Sequence, residues 1–335
     1  MRASRGSIRS RLAVASTLLS TVAMLACIQG VATEPAPPVV VSEPAAPAAA
    51  PPVPAEPILA GRLAIEVEVV PEGPPPVRGS HWRRIYTMRT DGSELRDITP
   101  AGEMIRAPAF SPDGSRLAYE SFHDDAADIW IVRSDGTGRS FVARNATNPF
   151  WLDDTHLGYQ CGTSLCAIRD DGSEQRMLLA RQPRADAEDF AYRLSADGRT
   201  VVFTRMTIPG PNAATSYVYL VNIDGTGERM LTSATQGDSP QWSPTGRSIA
   251  FISTRFGATV ADADGGVVKS IWQQDGPLGA APPAWSPTGK ELVFANIRGI
   301  YFLRPDGSGT IRRVAMPSQI ADSNGWINAV AWGTP

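Results

Sequence analysis

The strongest constraint on this chain is that, from Gly61 onward, it repeats itself. Ile85-Tyr86-Thr87-Met88 runs toward Asp91-Gly92. The same pattern returns as Ile129-Trp130-Ile131-Val132 before Asp135-Gly136 and Leu165-Cys166-Ala167-Ile168 before Asp171-Gly172. Val218-Tyr219-Leu220-Val221 precedes Asp224-Gly225, Ala258-Thr259-Val260-Ala261 precedes Asp264-Gly265, and Ile300-Tyr301-Phe302-Leu303 precedes Asp306-Gly307. A β-rich apolar run ending in Asp-Gly reads as a strand entering a hairpin, because glycine accepts the positive φ the turn demands. A second element lies between these turns. Phe110-Ser111-Pro112-Asp113-Gly114 recurs as Trp242-Ser243-Pro244-Thr245-Gly246 and Trp285-Ser286-Pro287-Thr288-Gly289, with degenerate copies at Trp151, Leu194 and Trp332. Each full copy leads into another apolar strand, such as Leu117-Ala118-Tyr119 or Ile249-Ala250-Phe251. Four short strands roughly every 40–45 residues predict an all-β fold, a six-bladed β-propeller of four-stranded antiparallel blades.

The two ends of the repeat region complete each other. Ala329-Val330-Ala331-Trp332 is an inner strand with no following partner, while Gly61-Arg62-Leu63-Ala64-Ile65-Glu66 matches Gly114-Ser115-Arg116-Leu117-Ala118-Tyr119-Glu120. Pairing of these N- and C-terminal strands in one blade closes the ring and hides two sheet edges that would otherwise invite aggregation.

These motifs together resemble the TolB-type propeller repeat, a relative of the WD repeat, over residues 61–335. TolB proteins carry a separate α/β domain before the propeller, which nothing ahead of Gly61 is expected to form. The chain is expected to be a non-enzymatic, monomeric scaffold for an envelope protein or peptide, and the resemblance implies recognition at the mouth of the central channel. Of the residues entering the innermost strands, Arg106, Asp238 and Asn328 are the candidate binding residues, with Asp189 beside them. The fold alone does not decide function. A carbohydrate-binding propeller and a propeller-type lyase or hydrolase-related enzyme are the alternatives.

The first sixty residues read as an address and a spacer. Arg2, Arg5, Arg9 and Arg11 precede an uncharged apolar run from Leu12 to Cys27, so residues 1–32 form a signal peptide. Met24-Leu25-Ala26-Cys27 resembles a lipoprotein box, with Cys27 lipidated. Gly30-Val31-Ala32 offers ordinary cleavage near Ala32 instead. Residues 33–60 are a Pro/Ala-rich linker with nine prolines, expected as extended polyproline of about 3.1 Å per residue. Localisation is therefore exported, as a periplasmic or outer-membrane lipoprotein or a secreted protein, touching the membrane through the N-terminal lipid alone.

The formal charge of −3, more negative still without the leader arginines, excludes the basic surface that nucleic-acid binding needs. Cys161 and Cys166 flank a short hairpin, where a disulfide is expected in an exported protein, with free thiols or a metal site as alternatives. Only His81, His123 and His156 are available, and they fall in different repeats. His123-Asp124-Asp125 reads as a solvated loop. Asp262-Ala263-Asp264-Gly265 reads as a turn, because the later ligands of a calcium loop are missing. No nucleophile elbow, zinc helix or phosphate loop occurs, so neither a cofactor nor a catalytic residue is expected. The aromatic row Phe110, Trp151, Trp242, Trp285 and Trp332 is expected to fill the wedges between blades, and a ligand-stacking platform is the alternative.

Overall fold

The computed structural model describes residues 61–69, 82–100, 103–123, 126–207, 214–231, 236–253, 257–272, 281–296, 298–321 and 326–335. The expected signal segment, Cys27, the linker to residue 60 and His81 lie outside the described residues.

The strands form six four-stranded antiparallel sheets. The first blade holds β1 (Arg62–Val69), β2 (Trp82–Arg89) and β3 (Arg96–Asp97). The second runs β4 (Met104–Phe110), β5 (Arg116–His123), β6 (Ala126–Arg133) and β7 (Ser140–Ala143). The third runs β8 (Ala146–Trp151), β9 (His156–Cys161), β10 (Ser164–Arg169) and β11 (Arg176–Leu179). In the fourth come β12 (Ala187–Leu194), β13 (Thr200–Thr207), β14 (Thr215–Asn222) and β15 (Arg229–Met230). The fifth has β16 (Gly237–Trp242), β17 (Ser248–Ser253), β18 (Gly257–Asp262) and β19 (Val268–Trp272). The sixth has β20 (Ala284–Trp285), β21 (Leu292–Asn296), β22 (Gly299–Leu303) and β23 (Arg312–Val314). Finally β24 (Ile327–Gly333) returns to the first blade, antiparallel to β1, with Arg62 opposite Gly333 and Leu63 opposite Trp332. The strands β24, β4, β8, β12, β16 and β20 meet one after another around the axis, which makes them the innermost.

Side-chain chemistry explains the hairpins. At each Asp-Gly turn glycine takes positive φ, from +73° to +87°. The preceding aspartate accepts from the residue two positions on: Asp91 from Ser93 N–H at 2.9 Å, Asp135 from Thr137 N–H at 2.9 Å. Hydrogen bonds from the Ser93 side chain and then its backbone lower the Asp91 pKa, and Thr137 does the same for Asp135. The second strand of each blade is covered on both faces by its neighbours. Leu63, Ala64 and Ile65 are all buried, as are Val201, Val202 and Phe203. That explains why these strands read as continuous apolar runs without alternation. Each large side chain so enclosed contributes about 1.5–3 kcal/mol.

Candidate functional site

The six innermost strands have two chemically different ends. At the end where they begin, four residues adopt left-handed backbone: Ala107 (φ 52°), Asn148 (φ 54°), Ala191 (φ 54°) and Ser239 (φ 53°). Each sits where the ladder to the next strand slips, between Arg106 and Ala109, Thr147 and Phe150, Phe190 and Arg193, and Asp238 and Gln241. For the two alanines and the serine this region costs roughly 1–2 kcal/mol, and less for the asparagine. The bulge turns an N–H toward the preceding blade, and in three cases a side chain there receives it. Glu66 accepts from Ala107 N–H at 2.8 Å, Glu120 from Asn148 N–H at 2.5 Å, and Thr204 Oγ1 from Ser239 N–H at 3.1 Å. These acceptors occupy equivalent positions of β1, β5 and β13, so they clasp one blade to the next.

The charged candidates at this end are committed to such contacts. Arg106 donates to the buried Glu120 at 2.7 Å and lies 3.9 Å over the Phe122 ring. Asp189 lies between Arg181 and Arg205, 2.6 Å from each, and Glu228 contacts the same two guanidiniums at 2.6 Å. Hydrogen bonding by Arg205, opposed by partial burial and aided by Arg181, holds the Glu228 carboxyl down at about 2. Burial pushes the Asp238 pKa up, against hydrogen bonds from Ser239 N–H and the Thr204 hydroxyl. Asn328 occupies the bulge of β24, its buried Nδ2 without a hydrogen-bond acceptor. None of the four lines the cavity at the opposite end.

That cavity, about 740 Å³, opens where the innermost strands finish, and all six blades contribute to its wall. The aromatic row both binds blades together and lines this space. Trp151 donates its indole N–H to Ala109 O at 3.0 Å, Trp242 to Arg193 O at 3.1 Å, and Trp285 to Gln241 O at 3.1 Å, each reaching the preceding blade. Trp285 and Trp332 are buried, whereas Phe110, Trp151 and Trp242 keep part of their surface toward the cavity.

The residue just before each aromatic position is Ala109, Phe150, Arg193, Gln241, Ala284 or Ala331, and all six line the cavity. Arg193 is the one charge in this ring. Its guanidinium donates to Tyr192 O at 2.8 Å and to Gln241 Oε1 at 3.3 Å, and sits 5.2 Å from the Phe150 ring centre. Burial pulls its pKa down to about 10, partly offset by Glu120 at longer range, so it is charged at neutral pH. Sequence reasoning passed over Arg193 and Gln241. The signal was their register, two channel-facing polar residues at a position that is otherwise Ala or Phe.

Cys161 and Cys166 are joined in a disulfide, Cα atoms 5.9 Å apart, across the β9–β10 hairpin. His123 pairs with Asp128 at 3.1 Å, and His156 with Asp153 at 3.1 Å, in different blades. Among the described residues no group of three His, Cys, Asp or Glu side chains is placed to hold a metal ion.

No family model matches the chain. A Chlorobium luteolum protein named TolB homolog is 26% identical over 179 residues, 53% of this chain and 30% of that protein. The Tol-Pal system protein TolB of Bordetella pertussis is 26% identical over 156 residues, 44% of this chain and 34% of its own. The chain thus spans about a third of the length of these curated relatives. The crystal structure of TolB from Acinetobacter baumannii superposes with a TM-score of 0.59 at 18% identity, covering 81% of this chain and 66% of that one. Repeat, ring closure and these likenesses agree: the chain carries a TolB-like six-bladed β-propeller.

Proposed function

We propose that this chain is an exported, monomeric, non-enzymatic scaffold that binds a protein or peptide of the bacterial envelope. The Tol-Pal name of its relatives supports that class of partner. Residues 1–32 direct export, Cys27 carries the lipid, and residues 33–60 hold the propeller of residues 61–335 clear of the membrane. The observation that carries the reading is the shared recess. One cavity of about 740 Å³ collects wall from all six blades and combines aromatic faces, prolines, neutral polar groups and a few charged side chains, Arg193 among them. Such a concave wall, apolar in part with convergent polar groups, suits ligand binding.

We take recognition to lie at this end, because Arg106 and Asp189 are engaged in ion pairs within the blades and Asp238 in hydrogen bonds. A photo-crosslinking residue at Gln241, in cells, is expected to trap an envelope protein. Labelling only at a matched position on the outer strand β7 would contradict the reading. Incorporation of a radiolabelled fatty acid that disappears in Cys27→Ala tests the tether separately.

A further inference from the structure

Within that recess, we infer that Arg193 is a recognition residue for a carboxylate group presented by an acidic peptide segment. The inference rests on the scaffold reading above and names the chemistry of its partner.

Four observations converge on this one side chain. First, Arg193 stands in the ring of residues facing the axis, where its five counterparts are neutral. Secondly, its recorded hydrogen bonds go to neutral acceptors, the Tyr192 carbonyl and the Gln241 amide oxygen. The described structure places no carboxylate within ion-pair distance of it. The other guanidiniums toward the channel differ: Arg106 has Glu120, and Arg181 and Arg205 share Asp189 and Glu228. Glu120 acts on Arg193 only from farther away, and its oxygens are taken by Arg106 and the Asn148 N–H. Thirdly, Arg193 is set back into the wall against the Phe150 ring, where burial works against its charge. A desolvated cation without an acid is costly to keep, and a carboxylate entering the cavity relieves that cost. Fourthly, the rest of the wall does not cancel the charge. Asp153 is the one acid lining the cavity, and it already accepts from Thr155 N–H at 2.7 Å and His156 N–H at 2.8 Å.

A carboxylate fits better than a phosphate. The guanidinium fork matches two carboxylate oxygens in one plane, whereas phosphate sites gather several cations or a nest of backbone N–H groups. Here the second basic residue of the wall, Arg176, lies in the exposed edge strand β11. A peptide is favoured over a sugar acid by the scaffold reading above, and Gln241 offers an amide for main-chain hydrogen bonding.

The test is selection of displayed random dodecapeptides on the folded protein, followed by affinity measurement on wild type, Arg193→Gln and Arg193→Lys. Melting temperatures verify that both variants are folded. The expected result is enrichment of peptides carrying Asp or Glu, whose binding falls about ten- to a hundredfold in Arg193→Gln. Binding should be partly kept in Arg193→Lys, and replacing the peptide's acid by its amide should cost wild type the same factor. Peptides that bind without an acidic residue, or that bind Arg193→Gln equally well, would overturn the carboxylate inference and leave the scaffold reading standing. Failure of any peptide to be enriched would remove both. Stronger binding of an oligoglucuronate than of any selected peptide would reassign the site to acidic sugars.

Discussion

The two ends of the innermost strands are built from the same repeat, yet they use polar chemistry in opposite ways. Where the strands begin, charge is abundant and mostly paired: Glu66 and Glu120 accept backbone N–H groups from the next blade and also pair with Arg83 and Arg106, while the buried Asp238 is held by neutral donors. Where the strands finish, prolines and aromatic faces are mixed with scattered polar groups, and among the described residues Arg193 has only neutral hydrogen-bond partners. Conspicuous charge therefore marks the joints of the ring, and an isolated charge marks its recess. Polarity by itself does not locate a binding site in this fold. The question that does is whether each charge has already found its partner.

Breaking the first end should have the largest effect. Glu120→Ala strands both the Arg106 guanidinium and the Asn148 N–H beside a buried position, and is expected to cost about 3–5 kcal/mol in urea unfolding. A loss below about 1 kcal/mol would mean the clasp is decorative. Next comes Trp242→Ala, which removes a packed indole and its hydrogen bond to Arg193 O, at about 3 kcal/mol. An unchanged melting temperature would assign that ring to the recess alone. Replacing Cys161 and Cys166 together by serine opens a short cross-link and should cost about 2 kcal/mol by loop entropy. Equal stability with and without reductant would contradict it. Arg193→Gln removes a cation that burial disfavours, so it should leave the fold at least as stable as wild type while abolishing acidic-peptide preference, which sharpens the contrast between the ends.

The finest distinction is in pH dependence. Glu228 has a folded pKa of about 2 against an ordinary 4.5, so its stabilisation is complete above the unfolded value and is lost as pH falls toward 2. Asp238 is raised, so its contribution is present below its ordinary value of 3.8 and is lost as pH rises through the folded pKa. Accordingly Glu228→Gln should weaken the protein at neutral pH and have little effect near pH 2. Asp238→Asn should gain on wild type as pH rises. A parallel response of the two variants would show that burial at Asp238 does not set its ionisation.

Much of the fold was legible in the chain because each repeat carries its own local chemistry. Six Asp-Gly turns, the aromatic positions and the match of Gly61–Glu66 to Gly114–Glu120 are all patterns a linear reading detects, and the ring and its closure follow from them. The site was less legible. Arg106, Asp189 and Asp238 were attractive as polar residues near strand starts, but their partners Glu120, Arg205 and Thr204 come from adjoining strands or from the neighbouring blade. Nothing along the chain shows whether such a charge is paired. The left-handed bulges at Ala107 and Ala191 were equally hidden, since alanine does not advertise positive φ. Arg193 was overlooked for the converse reason: its interest lies in lacking an acidic partner.

The claim that recognition occurs at the finishing end of the innermost strands is tested most directly by hydrogen–deuterium exchange of the intact protein with and without a selected acidic peptide. The account predicts slowed exchange within residues 109–111, 150–153, 193–198 and 241–243, which border the cavity. Protection confined to residues 104–107 and 237–239, at the opposite end, would contradict it.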